Sequence, residues 1–272
     1  MTSFYTSLNG LKNSQTDLST IAHNIANAET TGFKKSSVEF ADIVANGSAA
    51  NPRLSQGLGA TVAGISQNFG LGAIEQTGRS LDVAIDGDGF FAMRNPESGQ
   101  VLFTRNGNFQ VDATGNVTDF SSKNLQMFDV DATGAVINPG TTVDAVVPIT
   151  NGAGADLSSI QIEKNGNILA AYSDGTTTTV GRVALATFVA PTGLQPVGST
   201  NWEATGFSGT PSYELPGNGR NGQLLAGALE KSNVDLAEEM VGLITAQRNF
   251  QANAKAIDTA TQFSQTIINL RS

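Results

Sequence analysis

Along the opening stretch, Phe4, Leu8, Leu11, Gln15, Leu18, Ala22 and Ile25 are separated alternately by four and three positions. That is the 3.5-residue repeat of a coiled-coil seam, and it predicts a helix from Thr2 to about Ala28. Gly32, inside "NAETTGFKKS", is the expected breaker. The same alternation returns at the other end of the chain, through Leu236, Met240, Leu243, Gln247, Phe250, Ala254, Ile257, Thr261, Ser264 and Ile268. Ser232 followed by Asp235 reads as a capping box, and Glu238 and Glu239 follow it near the positive end of the helix dipole. A helix of roughly 35 residues, at 1.5 Å each, is a rod of about 50 Å.

Between the helices the rhythm changes. From 33 to 225, turn signals recur at the short intervals that mark an all-β domain. "DVAIDGDGFFAM" reads as strand, turn, strand, and "VDATGNV" and "VDATGAV" repeat one strand-turn unit. Asn106-Gly107 and Asn165-Gly166 each interrupt an apolar run, the signature of a two-residue type I′ hairpin. The expected fold is therefore mixed and mainly β. One Gly-rich β zone follows a first helix (1–30), and a last helix (226–272) closes the chain. The two terminal helices pair as a coiled-coil-like layer.

Their remaining faces are unusual. Between Thr245 and Leu270 only Arg248, Lys255 and Asp258 are charged, and the other non-seam positions are mostly Asn, Gln, Ser, Thr and Ala. A solvated helix face is normally rich in Lys and Glu. A neutral, amide-rich face suits packing against like surfaces, where a buried charge would be costly. Apolar positions also continue to Leu270. One chain has too few helices to cover all these surfaces, so the expectation is self-assembly of identical copies. The residues expected to carry it are Phe4, Leu8, Leu11, Leu18, Ile25, Leu236, Met240, Leu243, Phe250, Ile257 and Ile268.

Composition narrows the alternatives. The chain of 272 residues has a net charge of −9, and Lys34-Lys35 is its densest basic pair, which argues against nucleic-acid binding. It has no cysteine, which excludes a disulfide scaffold, a Cys-ligated zinc and a thiol nucleophile. No run approaches a membrane span, and the first residues lack the features of a cleavable signal, so any export is expected by another route.

Candidate chemistry is sparse. The single histidine, His23, sits on the first helix, where a Ser-His-Asp relay would find no concave site, and it reads as a hydrogen-bonded interfacial residue. Asp86 and Asp88 flank Gly87 in a turn, which is an ordinary place for Asp rather than a glycosidase pair. Asp129, Asp131, Thr133 and Gly134 match the start of a calcium loop, but its twelfth position is Gly140 instead of Glu. "GNGRNG" (217–222) follows no strand that enters a helix and reads as a flexible approach to the last helix, not a nucleotide loop. No enzyme and no cofactor are expected. The competing class is a secreted β-domain protein that binds or hydrolyses carbohydrate, for which one Trp and three Tyr are few.

Four segments carry a resemblance. "IAHNIANAETTGFKKSSVEFADI", "GRSLDVAIDGDGFF", "TRNGNF" and "ALEKSNVDLAEEMVGLITAQRNFQANAKAI" resemble, in order, the signature segments of bacterial flagellar axial proteins, the hook and rod group. "VGRVALATFVAPTGLQPVGSTNWEATGFSG" is similar to the family's last β segment. The resemblance implies a tubular homopolymer between motor and filament, its helices innermost and its β domains outside, with 31–80 as a connecting region and 81–225 as the central β domain. It further implies neighbours among rod, hook-cap and junction proteins, unfolded export by a dedicated apparatus, and no membrane insertion. "GLGATVAGISQNF" and "IINLRS" resemble hook proteins, which implies an extracellular hook. The hook is therefore the first reading and the distal rod, in the periplasm, the alternative. The chain is short for a hook protein, lacking most of an outer domain inserted in the β domain, and the insertion "ANGSAANPRLSQ" (45–56) resembles the distal rod protein.

Overall fold

The computed structural model describes residues 2–44, 57–131, 134–138 and 140–269. The chain forms two compact units. One contains residues 2–28, 35–44, 57–68 and 234–269, and the other residues 29–34 and 69–233, apart from the few outside the description. This division cuts across the sequence boundaries. Much of the expected connecting region is structured strand, belonging partly to each unit.

The first unit holds helix α1, Thr2–Ala26, and helix α2, Leu236–Asn269. A long antiparallel ribbon completes the unit, made of strand β1, Ser36–Val44, and strand β2, Gly57–Gln67. The ribbon is bulged between Glu39 and Phe40 and again between Ile43 and Val44, and bulges bend a strand and raise its twist. The cap of α2 differs from the expected box. Asp235, not Ser232, is the N-cap: its Oδ1 accepts from the backbone N–H of Ala237 (2.8 Å) and Glu238 (3.2 Å), satisfying donors that a helix start leaves orphaned.

The second unit is the β domain. Its main sheet runs, in spatial order, through strands 157–162, 167–172, 177–183, 124–128, 90–94, 101–104, 201–203 and 195–198. Two short pairings stand apart: 83–86 with 223–226, and 74–76 with 228–230. One core gathers Phe91, Phe109, Leu125, Ile162, Ile168 and Leu185, among others. A second gathers Phe90, Phe103, Phe188 and Trp202 in edge-to-face contacts with Phe69 close by. The single Trp is thus a core residue, 2% exposed, and offers no platform for a sugar.

The Asn-Gly pairs do not form type I′ hairpins. Gly166 has φ +82 while Asn165 is not in the left-handed region, and the Glu163 N–H meets the Asn167 carbonyl at 2.9 Å. This is a longer loop with glycine at its left-handed position. Asn106-Gly107 is no hairpin tip at all: Gly107 lies buried where any Cβ would overlap the Val83 carbonyl. "GNGRNG" is not a loose tether either. The Gly217 N–H donates to Gly222 O (2.9 Å), and the Gly222 N–H donates to Asp88 O (2.7 Å), so the loop is stitched into the β unit ahead of strand 223–226.

Candidate assembly interface

Helices α1 and α2 lie antiparallel in a constant register. Gly10 faces Asn253, Ile21 faces Gly242, and Asn24 bonds to Glu239. The inner positions are small or polar: Ser14, Thr20, Asn24, Glu239 and Ala246 are all buried. A Cβ on Gly10 would stand 2.6 Å from Asn253 Oδ1, so the Asn253 amide occupies the space that the missing side chain leaves there. The seam is therefore turned by about one residue from the large apolar line read in the sequence.

Asn24 fastens three elements. Its Nδ2 donates to Ser36 O (2.8 Å) and Glu239 Oε2 (3.0 Å), and its Oδ1 accepts from the Ser36 N–H (2.9 Å). The side chain thus mimics a neighbouring strand at the start of β1 while holding α2. Lys35 adds ion pairs to Glu239 (2.8 Å) and Glu238 (3.3 Å). A groove of about 420 Å³ opens here, and Asp17, Asn24, Lys35 and Glu239 are among the residues lining it. Burial, with the Glu239 charge adding to it, pushes the Asp17 carboxyl above its ordinary range. Periodicity gave no sign of Asn24, because a buried amide looks like any other polar residue. The available signal was an Asn placed one position before Ile25 of the expected apolar line.

The residues expected to assemble divide into two groups. Phe4, Leu8, Leu11, Leu18 and Ile25 on α1, and Leu243, Phe250 and Ile257 on α2, are half-buried within the unit. Leu236 and Met240 are exposed, at 44% and 58%. With Val241 (66%) and Ile244 (51%) they make an uncovered apolar stripe on the first turns of α2. Phe40 and Ile65 add exposed apolar surface on the ribbon. Side-chain burial at Ile268, and Leu270, Thr133 and the segment 45–56, lie outside the described residues. Leaving a side chain such as Met240 in water forgoes about 1.5–3 kcal/mol relative to full burial.

Among the described residues, no catalytic constellation competes with this surface. His23 is exposed, and its backbone carbonyl accepts from Asn27 Nδ2 at 2.9 Å. Asp88 sits in a turn between Gly87 and Gly89, both at positive φ. Among the described residues, no cluster of His, Asp and Glu could hold a metal, and no helix is long and apolar enough to cross a membrane.

Residues 4–34 match the family described as flagella basal body rod protein, 84–170 the flagellar hook protein FlgE/F/G D1 domain, and 225–270 the flagellar basal body rod FlgEFG protein C-terminal. The flagellar basal-body rod protein FlgG of Bacillus subtilis is 36% identical over 280 aligned positions, covering 99% of this chain and 98% of that protein. The chain belongs to the flagellar basal-body rod and hook protein family. FlgG of Borreliella burgdorferi is 30% identical, over 100% of this chain and 99% of its own length. The flagellar hook protein FlgE of Escherichia coli is 28% identical, over 98% of this chain and 100% of that protein. Membership makes this flagellar rod–hook chain a structural protein and not an enzyme. The family segments at 4–34 and 225–270 contain most of the helix pair.

Proposed function

We propose that this chain polymerises with its own copies into the tubular axial structure of the flagellum, in the hook, with the terminal helices buried between subunits. The observation that carries the reading is the stripe Leu236, Met240, Val241 and Ile244. It stands exposed on a helix whose opposite face, through Glu239, Gly242 and Ala246, is already packed within the chain. A second protein surface of the same kind is what would cover it. On this reading Phe4, Leu8, Leu11, Leu18, Ile25, Leu243, Phe250, Ile257 and Ile268 support the layer from within or between copies. Rod, hook-cap and junction proteins adjoin its ends, and the export apparatus delivers the chain.

Met240→Asp tests this reading. A charge at a solvent-exposed position leaves the monomer's circular dichroism and melting unchanged. In the polymer it would be buried unpaired, so tubes seen by electron microscopy should disappear. Wild-type tube formation by the variant would sink the assignment of this face.

One observation favours the rod as a second reading. The B. subtilis rod protein aligns end to end with this chain over 280 positions, whereas the alignment with the E. coli hook protein needs 408. Deleting the chain from its cell separates the two. Loss of a curved external segment supports the hook, and loss of a straight segment inside the envelope supports the rod.

A further inference from the structure

We infer that Asn218 is a site of spontaneous covalent modification, converting to aspartate and isoaspartate through a cyclic imide while the other described Asn-Gly pairs are protected by the fold. In the reaction the Gly219 backbone nitrogen loses its proton to a solvent base and attacks Cγ of Asn218. The Cγ–Nδ2 bond breaks, and Nδ2 leaves as ammonia with the proton returned to it. Water then opens the five-membered imide at either carbonyl, giving Asp or a main chain lengthened through the former side chain. No electrons are transferred, and the co-reactant is water.

The reaction needs a free side-chain amide and a free following N–H, in a backbone geometry that lets them meet. Asn-Gly occurs seven times in the sequence, and Asn46-Gly47 lies outside the described residues. The fold removes one requirement at each other pair. Asn9-Gly10 is within α1, where the backbone is fixed. Gly107 is buried against the Val83 carbonyl, and Asn106 Oδ1 already accepts from the Asn108 N–H at 3.1 Å. Asn151 is locked at both ends of its amide, accepting from the N–H of Ala153 and Ala155 and donating to Asp174 and Thr176. The Gly166 N–H is bound to Glu163 O (2.9 Å), and the Gly222 N–H to Asp88 O (2.7 Å).

Asn218-Gly219 alone keeps both requirements among the described residues. Both residues are exposed, and neither the Asn218 amide nor the Gly219 N–H makes a hydrogen bond. Gly219 sits at φ +60 in the loop that precedes strand 223–226. Each conversion adds one negative charge to a chain already at −9 and, in the isoaspartyl product, one extra backbone carbon to this loop.

The test is peptide mass spectrometry of the full-length folded chain after prolonged incubation at mildly alkaline pH, alongside a sample held in urea. The folded chain should gain the amide-to-acid mass at Asn218 severalfold faster than at Asn106, Asn151, Asn165 or Asn221, and the selectivity should vanish in urea. Asn218→Gln should abolish that product and leave the melting curve unchanged. The proposal is overturned if the folded chain reacts first, or equally fast, at Asn165 or Asn151. It is also overturned if Asn218 stays intact while the urea sample reacts throughout.

Discussion

Asp112 and its neighbours show how single side chains fix this chain's loops. Oδ1 of Asp112 accepts from the N–H of Thr114 and Asn116 at 2.8 Å each, and Oδ2 accepts from Asn116 Nδ2 at 2.9 Å. The hydrogen bonds from the Asn116 and Thr114 side chains, with those from the backbone, hold its carboxyl at about 2, down from the ordinary 3.8. The folded state therefore resists a proton that the unfolded chain takes up readily. This turn's contribution to stability is complete above the ordinary carboxylate range and is lost as pH falls through about 2. Asp112→Asn should flatten the acid limb of a stability-versus-pH curve measured by urea denaturation. The same loop holds Gly115 at φ +88, with the Val147 carbonyl where a Cβ would go. Gly115→Ala should cost about 1–3 kcal/mol, read from the denaturation midpoint. "VDATG" announced this chemistry in the sequence, because Asp and Gly at that spacing have a local reason to be there. Asn106-Gly107 misled for the opposite reason: its glycine answers to a distant carbonyl, not to its own turn.

At the scale of elements, one loop is used repeatedly. The N–H of residue i meets the carbonyl of i+4 at Asp112–Asn116, Asp131–Ala135, Asn151–Ala155, Glu163–Asn167 and Tyr172–Thr176. In each, the residue before the last is a glycine at positive φ. At Asp119–Lys123 the same closure uses Ser122, at φ 57. These loops explain why the β rhythm was readable: each is local in sequence. The helices were readable as elements too, but their rotation was not. Periodicity identifies the line of large apolar residues, whereas the helices meet along Gly10, Ile21 and Asn24 against Asn253, Gly242 and Glu239. Asn24 is the decisive element contact. Asn24→Ala would leave the buried Ser36 N–H and C=O without that partner, at a cost of about 1–3 kcal/mol. Helix signal in circular dichroism should then melt earlier, and an unchanged melt would remove Asn24 from this role.

At the scale of the molecule, residues far apart in sequence complete the β unit. Lys34 Nζ lies 2.5 Å from Glu230 Oε1 with both side chains fully buried, and it also donates to Gly70 O at 2.8 Å. Arg105 reaches Glu230 at 3.5 Å, donates to Gly87 O at 2.9 Å, and stacks over Phe90 at 5.1 Å. Burial pushes the Lys34 amine below its ordinary range, and the Glu230 charge opposes that shift. Removing one partner from a buried ion cluster leaves an uncompensated charge, typically costing about 3–5 kcal/mol. A fragment spanning 81–225 lacks both Lys34 and Glu230, so it should show no cooperative melt, whereas a fragment spanning 29–233 should. Equal melting of the two would show that the cluster does not govern closure of the unit.

The sequence by itself determined what depends on neighbours along the chain: two long helices, a Gly-punctuated β region between them, the Asp-based turns, and the four ordered segments that mark the family. Only the tertiary structure decided which helix faces meet, that Asp235 caps α2, that 36–44 and 57–67 pair as a ribbon, and which apolar side chains remain in water. The physical reason is the range of the forces involved. Backbone hydrogen bonding and turn geometry are settled within a few residues. Burial, close approach at a glycine and the pairing of Lys34 with Glu230 depend on groups that meet only when the whole chain has folded.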